Sequence, residues 1–204
     1  MKKVFLFLGL FAFIFTANAQ KLKLVEGNVD SYLKGQKLLK VEFTYDHMKV
    51  GKMTEEAYVA KKVKDYNKKH PGTGDEWKEK WENDKTEAYP DFFIRMFNMM
   101  MGKTEVRVDK NAEDADYIMI VNTSFIEPGF NVGIQSKRAS ANMEVSIVAK
   151  DDPGKVLAKF TITKSPGNSM FGPNFSTVDR VGGCFENAAS SMAGYFLKHD
   201  IFWD

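Results

Sequence analysis

The side chains with the greatest chemical capacity in this chain are few and far apart. Cys184 is the only cysteine, and His47, His70 and His199 are the only histidines. A catalytic thiolate needs a base within hydrogen-bond reach and an electropositive setting. Cys184 and His199 fall on one predicted helix, separated along its axis by about 22 Å. Cys184 also lies on or beside that helix's apolar seam, where a cysteine behaves as a small buried apolar residue. His47 follows Asp46, His70 precedes Pro71 and His199 precedes Asp200, and none of the three has the ligand spacing of a zinc or calcium site. No serine elbow, phosphate-cradling glycine loop or dinucleotide fingerprint is present. The sequence therefore assigns no catalytic residue, no metal and no cofactor.

The remaining candidates are aromatic. Trp77 and Trp81 sit one helical turn apart and share a face. Two such rings either stack on a ligand or clamp a polar helix onto the domain, and the second is the commoner use. Phe130, Phe171 and Phe175 fall in two segments, 128–138 and 165–175, rich in Gly, Asn and Ser. Loops held on a sheet are common sites of recognition, so these five aromatics are the binding candidates. Met96, Met99, Met100 and Met101 form a cluster in which Met99 and Met101 fall off the main apolar stripe.

The elements that must position these residues are legible from periodicity. Leu39, Val41, Phe43 and Tyr45 alternate with polar residues as in a half-buried strand. Thr54 is placed to cap a helix that opens on Glu55 and Glu56 and stops before Pro71. A polar helix over residues 75–85 follows, and Pro90 starts an apolar one carrying Phe92, Phe93, Met96, Phe97 and Met100. Next come a short strand at 105–108 and an apolar strand at 117–125 that reads as central. Residues 139–147 and 156–162 alternate cleanly around Asp151-Asp152-Pro153-Gly154, which makes an antiparallel hairpin. A last helix, capped by Ser176 or Thr177, carries Val178, Val181, Phe185, Ala188 and Met192, and its Gly182-Gly183 pair implies close packing against another backbone or a kink. Residues 20–37 read as an irregular lead-in with one short strand near 22–25. The expected fold is α/β (α+β): a single mixed, largely antiparallel sheet packed by helices, with a long hairpin and a closing C-terminal helix.

Lys2 and Lys3, the apolar run from Val4 to Phe15 and the close on Ala17-Asn18-Ala19 have the three regions of a secretory signal. About 12 apolar residues fall short of the roughly 20 that span a bilayer as a helix. Cleavage after Ala19 is expected, giving a periodic division into signal 1–19, lead-in 20–37 and one α/β domain at 38–204. Without Lys2 and Lys3 the 27 remaining basic residues balance 27 acidic ones. That balance gives no net field to favour nucleic acid or an anionic membrane, and no membrane span is expected after cleavage.

The runs GQKLLKVEFTY at 35–45, GTGDEWKEKW at 72–81 and ADYIMIV at 115–121 resemble those of uncharacterised secreted proteins of Gram-negative gut anaerobes, over most of the chain. More distantly, Ala115-Asp116-Tyr117, the central strand, the hairpin turning at Asp152-Pro153-Gly154 and the closing helix resemble envelope domains of the TolB amino-terminal and curli-secretion lipoprotein type. That resemblance implies an assembly or accessory module rather than an enzyme. The chain departs from it by lacking a lipid-anchor cysteine and by adding the Trp77 helix. The expectation is a non-catalytic periplasmic or secreted module that binds a protein or envelope partner through a sheet edge and aromatic loops. The alternatives are an extracytoplasmic carrier of a small ligand and, behind it, a hydrolase with dispersed acidic residues and histidines.

Overall fold

The computed structural model describes residues 20–132, 135–168 and 176–203. Its first element is the strand expected near 22–25, longer than expected and built into the main sheet. Strand β1, Lys21–Gly27, pairs antiparallel with a strand more than a hundred residues later, and a short helix α1, Asp30–Leu33, follows it. Strand β2, Leu38–Thr44, and the small hairpin of β3, Lys49–Val50, and β4, Met53–Thr54, lead into helix α2, Glu55–Lys69. Thr54 caps α2 as its sequence position predicts: its Oγ1 accepts from the Ala57 N–H at 3.3 Å.

Helix α3, Thr73–Asn83, does not end before the next helix begins. A π-helical turn, Asp84–Ala88, carries it directly into α4, Tyr89–Met101. Pro90 explains the wide turn. It has no N–H to donate, and its ring collides with the carbonyl four residues back in a regular helix, so one extra residue per turn relieves the contact. The sequence expectation of a fresh start at Pro90 is thus corrected to a continuous helix with a local widening.

Strands β5, Arg107–Asp109, and β6, Tyr117–Glu127, come next. A two-stranded unit of β7, Phe130–Val132, and β8, Gln135–Lys137, precedes the long hairpin of β9, Ser140–Ala149, and β10, Asp152–Pro166. Helix α5, Thr177–Lys198, closes the fold from a full capping box, in which Ser176 accepts from the Asp179 N–H and Asp179 accepts from the Ser176 N–H.

The main sheet has eight strands in the path β1-β10-β9-β6-β2-β5, with β3 and β4 attached beside β6. β2 runs parallel to β5 and β6, and the remaining pairs on the path are antiparallel. The α+β architecture with a mixed, largely antiparallel sheet, a long hairpin and a closing helix is therefore as expected, and β6 is central.

The helices cover one face. Val41, Met119, Val121, Met143, Val145, Ile147, Phe160 and Ile162 are buried there with Phe93, Phe97, Phe185 and Phe196. The opposite face carries Glu42, Asn122, Glu144, Ser146 and Thr161, all partly exposed, as an antiparallel sheet with one solvated side does. Gly182 faces α4. A Cβ there would come within 2.5 Å of the Phe92 ring, so the close packing is against an aromatic side chain rather than the backbone expected. Met101 is buried although its position off the stripe predicted otherwise, while Met99 is half exposed. Among the described residues no helix is long and apolar enough to cross a membrane.

Gly74 fixes how α3 docks on α2. A Cβ at this position would lie 2.3 Å from the Val63 carbonyl oxygen, and the Gly74 N–H donates to Asn67 Oδ1 at 2.7 Å. Backbone cannot yield as a side-chain tip can, so Gly74→Ala is expected to destabilise the protein by about 2 kcal/mol. Chemical denaturation checks this; a change below about 0.5 kcal/mol would mean the two helices are free to separate without cost.

Candidate functional site: a projecting β arm

The chain between β6 and β9 forms an arm. β7 and β8 pair antiparallel, with Phe130 opposite Lys137 and Val132 opposite Gln135, and they make a sheet of their own apart from the main one. Every described residue of the two strands is exposed. Phe130 is 42% and Val132 70% exposed. A valine and a phenylalanine on a solvated ribbon leave much of their apolar surface in water, and exposed apolar groups of this kind mark contact surfaces when they cluster.

The base of the arm is built rigidly. Gly129 adopts φ +64°, and a Cβ there would meet the Lys137 carbonyl oxygen at 2.4 Å, so only glycine fits where the two strands of the arm leave the sheet. The Arg180 Nε of α5 donates to the Pro128 carbonyl at 3.2 Å, tying the bend to the helix start. Lys137 Nζ and Glu127 Oε2 pair at 2.5 Å across the bend. Gly167 N–H donates to the Ala139 carbonyl at 2.9 Å on the other side. A fixed stem with exposed apolar side chains on its first strand suits presentation of a surface to a partner.

β1 supplies a second surface. It is the outer strand of the sheet, almost wholly exposed, and its free edge offers unpaired backbone groups. Leu24 and Val25 are 37% and 51% exposed, and a bulge between Leu24 and Glu26 interrupts the register with β10. Lys21 and Lys23 on the same strand guard it against indiscriminate pairing.

The tryptophans take the structural role. Trp81 is 2% exposed, and its Nε1 donates to Glu55 Oε1 at 2.8 Å. Trp77 is half-buried and stacks on both Trp81 and Tyr66, with ring centroids 5.8 and 6.0 Å away. Tyr58 packs against both indoles, and burial of its own ring raises its phenol to about 12. The pair is thus the clamp between α2 and α3, and its faces are occupied by other rings. Beside it lies an open groove of about 690 Å³ lined by Val59, Ala60, Val63, Lys64, Asp75 and Lys78 among others. The groove is a shallow channel between two helices, unlike the enclosed apolar cavity expected of a carrier.

Lys85 and Glu55 form a partly buried pair at the floor of this region. Lys85 Nζ lies 2.5 Å from Glu55 and 2.8 Å from Glu82, and Tyr45 donates its hydroxyl to the Lys85 carbonyl at 2.7 Å. Burial first, and the Glu55 charge second, push the Tyr45 phenol far up. The hydrogen bonds and charges of Glu55 and Glu82 raise the Lys85 ammonium against an opposing desolvation.

Cys184 is fully buried, and burial pushes its thiol well up, away from the reactive range. Its carbonyl accepts from Ser165 Oγ at 2.7 Å. His199 packs its ring against Tyr195, tilted by 32° with centroids 4.3 Å apart, at the far end of α5. The structure does not bring the cysteine and the histidine together. Among the described residues no three His, Cys, Asp or Glu side chains converge to hold a metal. Phe130 is in place as an exposed aromatic, while Phe171 and Phe175 lie outside the described residues. Val132 was missed by sequence reading, although the alternation of Phe130, Asn131 and Val132 on a segment bracketed by glycine was the signal for it.

No family model matches the chain, and no curated protein matches it. Among solved structures, the PelC dodecamer from Paraburkholderia phytofirmans is similar over 86% of this chain and 97% of that chain, with a TM-score of 0.43 and 12% identity. A structure of a single-substitution variant of the same protein matches over the same shares, with a TM-score of 0.41 and 12% identity. Likeness at this level does not bear on what the present chain binds.

Proposed function

We propose that this chain is an exported, non-catalytic envelope module that binds a protein partner through the β7–β8 arm, with the edge strand β1 as a second contact. The observation that carries the reading is the arm itself: a braced stem holding Phe130 and Val132 in solvent. Export to the periplasm or beyond rests on the composition of residues 1–19, whose charged, apolar and small-residue regions fit a cleaved signal. The resemblance of Ala115-Asp116-Tyr117, the hairpin and the closing helix to envelope assembly and accessory domains supports the same reading. Buried Cys184 and dispersed histidines favour binding over turnover.

The test replaces the tip. The F130S/V132S variant removes the apolar contacts without touching Gly129, Arg180 or the Glu127–Lys137 pair, so it is expected to keep the wild-type melting temperature within about 2 °C. Recovery of the partner from envelope extract is expected to fall at least tenfold, because two central apolar anchors carry a large share of a small interface. Equal recovery by wild type and variant would remove the arm from the function.

A further inference from the structure

Among the described residues, β1 is paired by β10 on one side only, and it ends the strand path of the main sheet. The strand is pinned at both ends. Before it, Gln20 Nε2 donates to the Asn187 carbonyl of α5 at 3.0 Å. After it, Gly27 holds φ +74°, where a Cβ would collide with the Leu157 carbonyl oxygen, and the Asn28 N–H donates to that same carbonyl at 3.2 Å. An edge fixed in this way needs little further ordering when another strand is added to it.

The bulge decides which strand fits. Directly opposed residues of an antiparallel pair lie on one face of the sheet. Lys23 opposes Thr161 and Glu26 opposes Lys159, and these two residues of β10 in turn oppose Glu144 and Ser146 on the solvated face. In a regular strand, residues 23 and 26 would fall on opposite faces, because side chains alternate. The extra residue at the bulge brings both charges to the same face. Lys23 and Glu26 are exposed, and among the described residues neither is engaged in an ion pair.

This arrangement is self-complementary. When a second β1 is laid antiparallel about a two-fold axis between residues 24 and 25, Lys23 of each copy opposes Glu26 of the other. One contact then makes two ion pairs on the solvated face. Leu24 opposes Val25 of the other copy twice, which joins side chains that are 37% and 51% exposed in the single chain. Leu22 meets Gly27 of the other copy, and both lie on the helix-covered face, opposite Ile162 and Ala158 of β10. A strand carrying only basic residues would be repelled by Lys21 and Lys23, so the same edge that excludes other strands accepts its own copy.

We propose that β1 joins a second copy of this chain by antiparallel edge pairing, making one sheet that is continuous across a two-fold dimer. Seven residues a side make a small contact, so the dimer is concentration-dependent. The inference rests on the reading of β1 as a contact and names its occupant.

The full mature chain is followed by sedimentation velocity over a concentration series at low salt, and a monomer–dimer equilibrium is expected. Lys23→Glu alone and Glu26→Lys alone each set like charges opposite one another twice, so each is expected to weaken the dimer at least about tenfold. K23E/E26K restores opposite charges and is expected to dimerise within about threefold of wild type. An equimolar mixture of the two single variants is expected to form the heterodimer, since each then supplies the charge the other lacks. All three variants are expected to melt within about 2 °C of wild type, because both positions are exposed. A chain that is monomeric at every concentration would overturn the proposal. So would single variants that dimerise as wild type does, a double variant no better than either single one, or a mixture that stays monomeric. F130S/V132S is expected to dimerise normally, and loss of the dimer in it would place the contact on the arm instead. A monomeric chain whose partner recovery still depends on the arm would sink the dimer and leave the arm reading standing; a dimer that recovers no partner would do the reverse.

Discussion

Phe196→Ala is expected to cost about 4 kcal/mol of folding stability, the largest effect of any single truncation considered for this protein. Phe196 is fully buried on α5 and touches four other rings: Phe97 at 6.1 Å, Phe160 at 6.0 Å, Tyr195 at 6.3 Å and Phe202 at 5.4 Å between centroids. All four are edge contacts, with the rings at 70° to 86°, the geometry in which the positive rim of one ring meets the negative face of another. Phe97 comes from α4, Phe160 from β10 and Phe202 from the segment after α5. Removing the ring therefore opens a cavity shared by three parts of the fold, none of which can collapse into it alone. Phe196→Leu keeps most of the volume and is expected to cost under about 1.5 kcal/mol. Urea denaturation of both variants checks the pair. A loss below about 1 kcal/mol for the alanine variant would show that the helix layer repacks freely.

Arg95→Met comes next, with an expected loss of about 3 kcal/mol. Glu186 is fully buried on α5, and its Oε1 accepts from Arg95 Nη2 on α4 at 2.8 Å. The arginine also lies over the Phe92 ring, 5.2 Å from its centroid, and that ring fills the notch at Gly182 one turn before Glu186. Phe92 and Arg95 on one helix thus meet Gly182 and Glu186 on the other. Taking away the guanidinium strips a buried carboxylate of its cation, which costs more than the pair contributes over a neutral replacement. Half of the arginine is exposed, which places the loss at the lower end of the range for buried pairs. The R95M/E186M double variant is expected to return to within about 1 kcal/mol of wild type, since it leaves no buried charge. A double variant no more stable than R95M would contradict this account of the helix contact.

The strands and the last helix were readable because burial on one side imposes a period. Met143, Val145 and Ile147 had to alternate with Glu144 and Ser146 for β9 to bury one face, and Ser176 with Asp179 had to precede α5 to satisfy its first N–H groups. β1 was less readable for the same reason. It is exposed on nearly every residue, so its Lys-Leu-Lys-Leu pattern marks only a short strand near 22–25, and its full length and its place in the sheet follow from pairing with Thr163 to Ala158. The π-helical turn before Tyr89 depends on where the carbonyls of the preceding turn point, which Pro90 alone does not reveal.

The site was legible only in part. Phe130 announced itself as an aromatic among turn residues, and Trp77 and Trp81 did so equally, yet tertiary packing left one exposed and closed the other two into a ring stack. Glu186 reads as the polar side of an amphipathic helix until Arg95 reaches it from ninety residues away. Lys164 carries no local signal for a left-handed backbone. Its conformation follows from the register slip against Asn142, which exists only once β9 and β10 are paired.

The most direct test of the central claim places a photo-crosslinking amino acid at Val132, on the arm tip, and at Glu79, an exposed position on α3, in cells producing the full chain. Irradiation is expected to give a discrete adduct band from Val132 and none from Glu79. No adduct at Val132, or the same band from both positions, would contradict the reading of the arm as the partner-binding surface.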